Sequence, residues 1–147
     1  MVNMNIEQKY LPSSLLAKGN LEGNEYAWPI SDIPEVIETA RKLSLVSIGG
    51  QLQFRFPNGV CECYWVEVDT YKETDLDILN WQERVERSAA AATVGFERLL
   101  ARYDFIAEGR KNFSKAFEEY EAKGGDIADV MCFVWYLDAQ DINQINE

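Results

Sequence analysis

A change of hydrophobic period between residues 45 and 68 constrains this chain more than any other feature. Leu52, Phe54 and Phe56 alternate with Gln51, Gln53 and Arg55. Pro57-Asn58-Gly59 follows, and the alternation resumes from Val60 to Val68, with Cys61, Cys63 and Trp65 on one face and Glu62, Tyr64 and Val66 on the other. Period two with β-branched and aromatic residues describes half-buried strands, and Asn-Gly supplies the positive φ angles that tight hairpin turns need. A β-hairpin is therefore expected, with a bulge or close backbone approach at Gly49-Gly50 where its first strand begins.

Helical spacing flanks the hairpin. Asp32 and Glu35 read as a capping box with Pro34 in the first turn, opening a helix that turns Ile33, Val36, Ile37, Ala40 and Leu43 inward. Asn80 and Glu83 repeat the signature before a helix to about Ala101, with Trp81, Val85, Ala89, Ala92, Phe96, Leu99 and Leu100 as its stripe. Its alanine run, 89–92, makes a thin waist for something bulky to cross. A further helix is expected from Asp104 to Gly124-Gly125, carrying Ile106, Phe113, Phe117 and Tyr120 inward and weakened at Gly109. The aromatic, β-branched run Cys132–Leu137 reads as a third strand.

Residues 1–30 read as an irregular segment with one short strand, wrapped on the core through Leu15, Leu16, Tyr26 and Trp28, and residues 138–147 as a frayed tail. No linker divides the 147 residues, a length at which one domain buries roughly two-thirds of its unfolded surface. The expected fold is a single α+β domain: a small twisted antiparallel sheet built on the hairpin and packed on one side by two or three helices. No apolar run approaches the length of a membrane span, and the N-terminus carries no secretory pattern, so a cytoplasmic protein is expected.

Composition removes chemistry. The chain holds no histidine, which excludes Ser-His-Asp and Cys-His catalysis and histidine metal ligands. Three cysteines form no even disulfide framework. Cys61 and Cys63 share a strand face and Cys132 on a neighbouring strand could join them, but zinc wants a fourth ligand and buried free cysteines are ordinary core residues. Asp69, Asp75 and Asp77 lack the calcium-loop spacing. Glu62 and Glu67, five apart, fall on opposite faces of a regular strand, which argues against a shared carboxylate cleft. Neither a Gly-x-Ser-x-Gly nor a phosphate loop is present. No metal or cofactor is expected, and the row Gln51, Gln53, Arg55 reads as an ordinary wet sheet face.

Charge points to a kind of partner. The formal net charge is −11, placed unevenly: residues 41–61 hold three bases and no acid, residues 62–77 carry −5, and residues 118–147 carry −7. Such a surface repels nucleic acid and anionic membranes and attracts basic proteins, speeding their association. Tyr64, Tyr71, Trp81, Trp135 and Tyr136 lie in or near the acidic segments, and aromatic anchors with a charged rim are how a tight interface is built.

A small, single-domain, strongly acidic α+β chain without a catalytic constellation resembles, in these class features, the immunity proteins of bacterial toxin systems, contact-dependent inhibition included. A phage-encoded inhibitor mimicking nucleic acid would look the same from composition. The resemblance implies a one-to-one complex with a basic toxin, often a nuclease, whose substrate cleft acidic side chains shield. The expected contacts are Glu67, Asp69, Glu73, Asp75 and Asp77 with Tyr71 as anchor, joined by Glu118, Glu119 and Glu121. The alternative is a small-molecule-binding domain or an enzyme working through Glu, Asp or Tyr, its pocket between hairpin and helices and lined by Trp28, Trp65 and Trp81.

Overall fold

A computed structural model describes residues 5–140, apart from the side chain of Glu73. The hairpin is its spine. Strands β3 (Val46–Phe56) and β4 (Gly59–Asp69) pair antiparallel, and three further strands complete one antiparallel sheet: β1 (Asn20–Glu22), β2 (Glu25–Trp28) and β5 (Met131–Asp138), in the order β1-β2-β5-β3-β4. The Cys132–Leu137 run is thus a strand, and it occupies the middle of the sheet. Its aromatic and β-branched residues suit a position where both neighbours are strands.

Helices cover one face: α3 (Ile33–Lys42), α5 (Trp81–Arg102), α6 (Phe105–Asn112) and α7 (Ser114–Ala122). Leu52, Phe54 and Phe56 of β3 and Phe133, Trp135 and Leu137 of β5 meet them in one continuous core with Val36, Phe96, Phe105 and Phe117. The fold is α+β, with four longer helices over the sheet where two or three were expected. The extra one arises because the single helix read between Asp104 and Gly124 is two. The break falls at Phe113 (φ −133°, ψ 43°), while Gly109 sits inside α6. A Cβ at Gly109 would lie 2.4 Å from the Phe54 ring and 2.6 Å from Phe117, so that glycine serves close packing rather than weakening the helix.

Residues 5–30 are more regular than the sequence suggests. They form α1 (Ile6–Tyr10), α2 (Ser13–Leu16) and the two-strand unit β1–β2, with Trp28 buried and its indole N–H donating to the Leu15 carbonyl at 2.9 Å. The tail expected from residue 138 does not start there, since Asp138 closes β5; the rest of that expectation, residues 141–147, lies outside the described residues. The Asp32 box does not form: a 3-10 turn over Ile30–Asp32 runs straight into α3, Asp32 is itself helical (φ −93°, ψ −9°), and its side chain caps nothing. Asn80 does cap α5, accepting from the Glu83 amide at 2.9 Å. Leu100 of the expected stripe is exposed. What crosses the alanine-rich stretch closely is strand backbone: the Ser47 amide donates to the Ser88 hydroxyl at 3.1 Å.

Two irregularities shape the hairpin. Its turn residues are Pro57 and Asn58, with Phe56 opposite Gly59, and neither Asn58 nor Gly59 has positive φ. Pro57 presets φ at the first turn position, so the turn is not the mirror-image type that Asn-Gly suggested. In β4, Leu52 faces Cys63 but Gln51 faces Glu67, leaving Tyr64, Trp65 and Val66 without partners on β3. This bulge shifts the phase, so that Val66 and Val68, not a continuation of the Cys61-Cys63-Trp65 parity, face the core. Val66 was expected on the other face.

Candidate functional site

Opposite the helices the described residues place no layer on the sheet, only its own side chains. Arg55 lies across it: its guanidinium donates to the Asn20 carbonyl (2.6 Å) and the Glu25 carbonyl (3.0 Å), and its Nε to the Gln53 side chain (3.0 Å). Gln53 in turn donates to Glu62, and the Tyr136 hydroxyl donates to the Glu25 carboxylate. Under this net Ala27, Cys132 and Val134 are buried. Arg55, braced by the buried Gln53, is therefore a clasp holding β1–β2 to β3 rather than part of a wet face. Burial and the Glu25 acceptor push the Tyr136 phenol well above its ordinary range, so it remains a donor.

The β4 bulge overturns one expectation. Glu62 faces Gln53 and Glu67 faces Gln51, and those two partners share a face, so the two glutamates do as well. They still do not line one cleft. Glu62 is engaged by Gln53, while Glu67 borders a hollow of about 170 Å³ with Gly49, Gly50, Gln51, Asp69 and Tyr136.

The cysteines do not gather. Cys61 and Cys63 face Phe54 and Leu52 on the helix side, whereas Cys132 pairs with Gln53 on the other. Burial drives the Cys63 thiol to about 12 and the Cys132 thiol to about 11, which keeps both protonated and inert. No group of three or more Cys, Asp or Glu able to hold a metal ion occurs among the described residues.

The acidic connection after β4 is braced, not loose. Gly49 (φ 136°) sits where the pairing of β3 with β5 slips between Ser47 and Gly49, a position where any Cβ would strike the Val68 carbonyl at 1.9 Å. Carbonyls turned aside there are taken up by the buried Thr70 hydroxyl, which bonds Ser47 O at 2.7 Å and Ile48 O at 3.0 Å. Asp69 caps the short helix α4 (Thr70–Glu73) by accepting from the Lys72 amide. Leu76 then plugs into the core, and Arg84 holds the chain beyond it by donating to the Asp77 and Leu79 carbonyls.

On this frame Glu67, Asp75 and Asp77 are exposed, while Asp69 and Tyr71 are half-buried. Asp75 and Asp77 enter no ion pair among the described residues, and Glu67 meets only Lys72, at 4.0 Å. The Glu73 side chain lies outside the described part of the structure. The second acidic group sits elsewhere. Glu119 borders a cavity of about 400 Å³ with Pro57 and Asn58 at the hairpin tip, the far end of β4 from Glu67. Glu121 is paired with Arg110 at 2.6 Å, which holds its carboxyl below the usual range, and Glu118 is exposed on the same helix. The structure therefore brings Glu67, Asp69, Tyr71, Asp75 and Asp77 to one end of the sheet and leaves Glu118, Glu119 and Glu121 at the other.

One exposed residue beside the first group was missed: Ile78 is 82% exposed, while Tyr64, counted among the aromatics near the acidic segments, lies on the bulge and is 67% exposed. A signal for Ile78 was present: Leu76, Ile78 and Leu79 are three apolar residues in the otherwise polar connection between β4 and α5, and not all of them can reach the core.

The three tryptophans proposed to line a pocket are separated and engaged: Trp28 with Leu15, Trp65 with the Glu108 carboxylate (2.8 Å), Trp81 with the Ser44 carbonyl (2.9 Å). Phe54, Phe117 and Leu52, all fully buried, fill the space between hairpin and helices. No helix among the described residues is long and apolar enough to cross a membrane. Comparison with protein-family models, with curated proteins and with solved structures finds no match, so function is read from the chain's own geometry.

Proposed function

We propose that this chain binds a basic protein and neutralises it, in the manner of an immunity protein that blocks a cognate bacterial toxin, a nuclease being the toxin type its surface suits. One observation carries the reading: Glu67, Asp69, Asp75 and Asp77 share one end of the sheet on a hydrogen-bonded frame, with Asp75 and Asp77 outside any ion pair among the described residues. Unpaired carboxylates raise the association rate of a cationic partner and meet Lys or Arg without breaking an internal bridge. A rigid frame lowers the ordering cost of docking. Binding, rather than turnover, is also what remains when the helix–sheet interior is filled by Phe54, Leu52 and Phe117.

Affinity isolation from the native host at low salt, followed by identification of the co-purifying protein, tests this. The expected partner is basic, forms a one-to-one complex and loses its activity in it. An acidic partner, or a basic one that stays fully active in the complex, contradicts the reading.

A further inference from the structure

A large aliphatic side chain 82% exposed on a braced segment is unusual, and Ile78 is such a residue. The chain is fixed on both sides of it. Leu76, fully buried, anchors the preceding residues, and the Leu79 amide closes a single 3-10 turn by donating to the Leu76 carbonyl at 3.1 Å. Arg84 clamps the carbonyls of Asp77 and Leu79, one on each side of Ile78, while its guanidinium stacks over the Trp81 ring 5.8 Å from the centroid. Trp81 is itself tied to the turn between α3 and β3 through its hydrogen bond to Ser44, whose chain neighbour Leu43 is also exposed. Ile78 is thus held outward by the fold, three residues from an immobilised indole and next to Asp77, which enters no ion pair among the described residues.

We propose that Ile78 is the apolar anchor of the acidic docking surface, with Trp81 beside it, and that the basic protein meets it with an apolar socket ringed by Lys or Arg. The inference rests on the function proposed above and gives that surface its centre. Charge complementarity selects the occupant, because Asp75 and Asp77 immediately precede the anchor and residues 62–77 carry −5. Desolvated apolar centres within a charged rim carry most of an interface's affinity, while the rim sets rate and specificity. Tyr71, expected as the anchor, is half-buried.

Two synthetic peptides of equal positive charge serve as probes. One is a leucine–lysine amphipathic helix, and the other has its leucines replaced by glutamine. Their affinities for the full chain at low salt are measured by calorimetry, and the contact residues by amide chemical-shift mapping. The leucine–lysine peptide should bind at least about tenfold more tightly, with shifts centred on Ile78 and Trp81. Ile78→Asp should abolish that preference, whereas Val94→Asp, an exposed apolar position elsewhere on α5, should leave it intact. Because Ile78 packs against little, Ile78→Asp should keep the wild-type melting temperature. Equal affinity of the two peptides, or shifts centred elsewhere, overturns the anchor while leaving an acidic docking surface standing. Failure of both peptides to bind overturns the anchor and the basic-partner reading together.

Discussion

The Trp81 indole N–H donates to the carbonyl of Ser44, and Ser44 holds a left-handed backbone at φ 61° without being glycine. α3 ends two residues before it, at Lys42, and the strand β3 starts two residues after it, at Val46. The left-handed conformation costs an L-residue about 1–2 kcal/mol, which a glycine avoids. Ser44→Gly should therefore raise stability by about 0.5–1 kcal/mol, read as a higher denaturant midpoint at unchanged slope. A lower midpoint would show that the serine contributes something the backbone geometry does not contain.

Gly109 sets helix propensity against packing. Alanine is favoured over glycine inside an exposed helix by about 1 kcal/mol, but here the added methyl would press into the rings of Phe54 and Phe117. Overpacking of a filled core costs about 1–3 kcal/mol, so Gly109→Ala should destabilise the protein on balance. Thermal unfolding decides the sign, and stabilisation would mean the rings can yield.

Much of the fold was legible because its strongest signals are local. The alternation around Phe54 and Cys63 sets the hairpin, and the 3.6-residue stripe through Val85, Ala92 and Phe96 sets α5. What was hidden depends on tertiary contact. The three-residue bulge at Tyr64–Val66 shows in the sequence only as Glu67 falling on the face that strict alternation assigns to the core, yet it moves Val66 to the core and brings Glu62 and Glu67 to one face. Asp32 looks like a cap by residue type, but the 3-10 turn before it removes the extended conformation that a cap requires. Of the candidate site, the acidic stretch could be read from charge alone. That its members share an end of the sheet with Ile78, and that Glu118, Glu119 and Glu121 do not, follows from strand register that the sequence does not spell out.

A buried carboxyl gives the pH dependence. Glu7 of α1 is 6% exposed and accepts from the Leu137 amide at 3.4 Å, and burial raises its carboxyl above the ordinary value. A carboxyl raised on folding contributes stability that is complete below its unfolded value, near 4.5, and is lost as pH rises through the folded value. Glu7→Gln keeps an acceptor without the charge. The variant should therefore match the wild type near pH 4 and become relatively more stable as the pH approaches neutrality. Paired urea titrations at the two pH values check this. A gap that closes or reverses with rising pH would mean the charged form is the one the fold favours.

The acidic end of the sheet is the centre of the account, and the association rate of the co-purified partner tests it most directly. Stopped-flow measurement should compare the wild type with the double variant Asp75→Lys/Asp77→Lys at low and at high salt. Both sites are exposed, so the variant should fold as the wild type does. Its association should be slower by about tenfold or more at low salt, with the two rates converging as screening removes the steering. Rates that coincide at low salt would contradict the claim that this surface receives the partner.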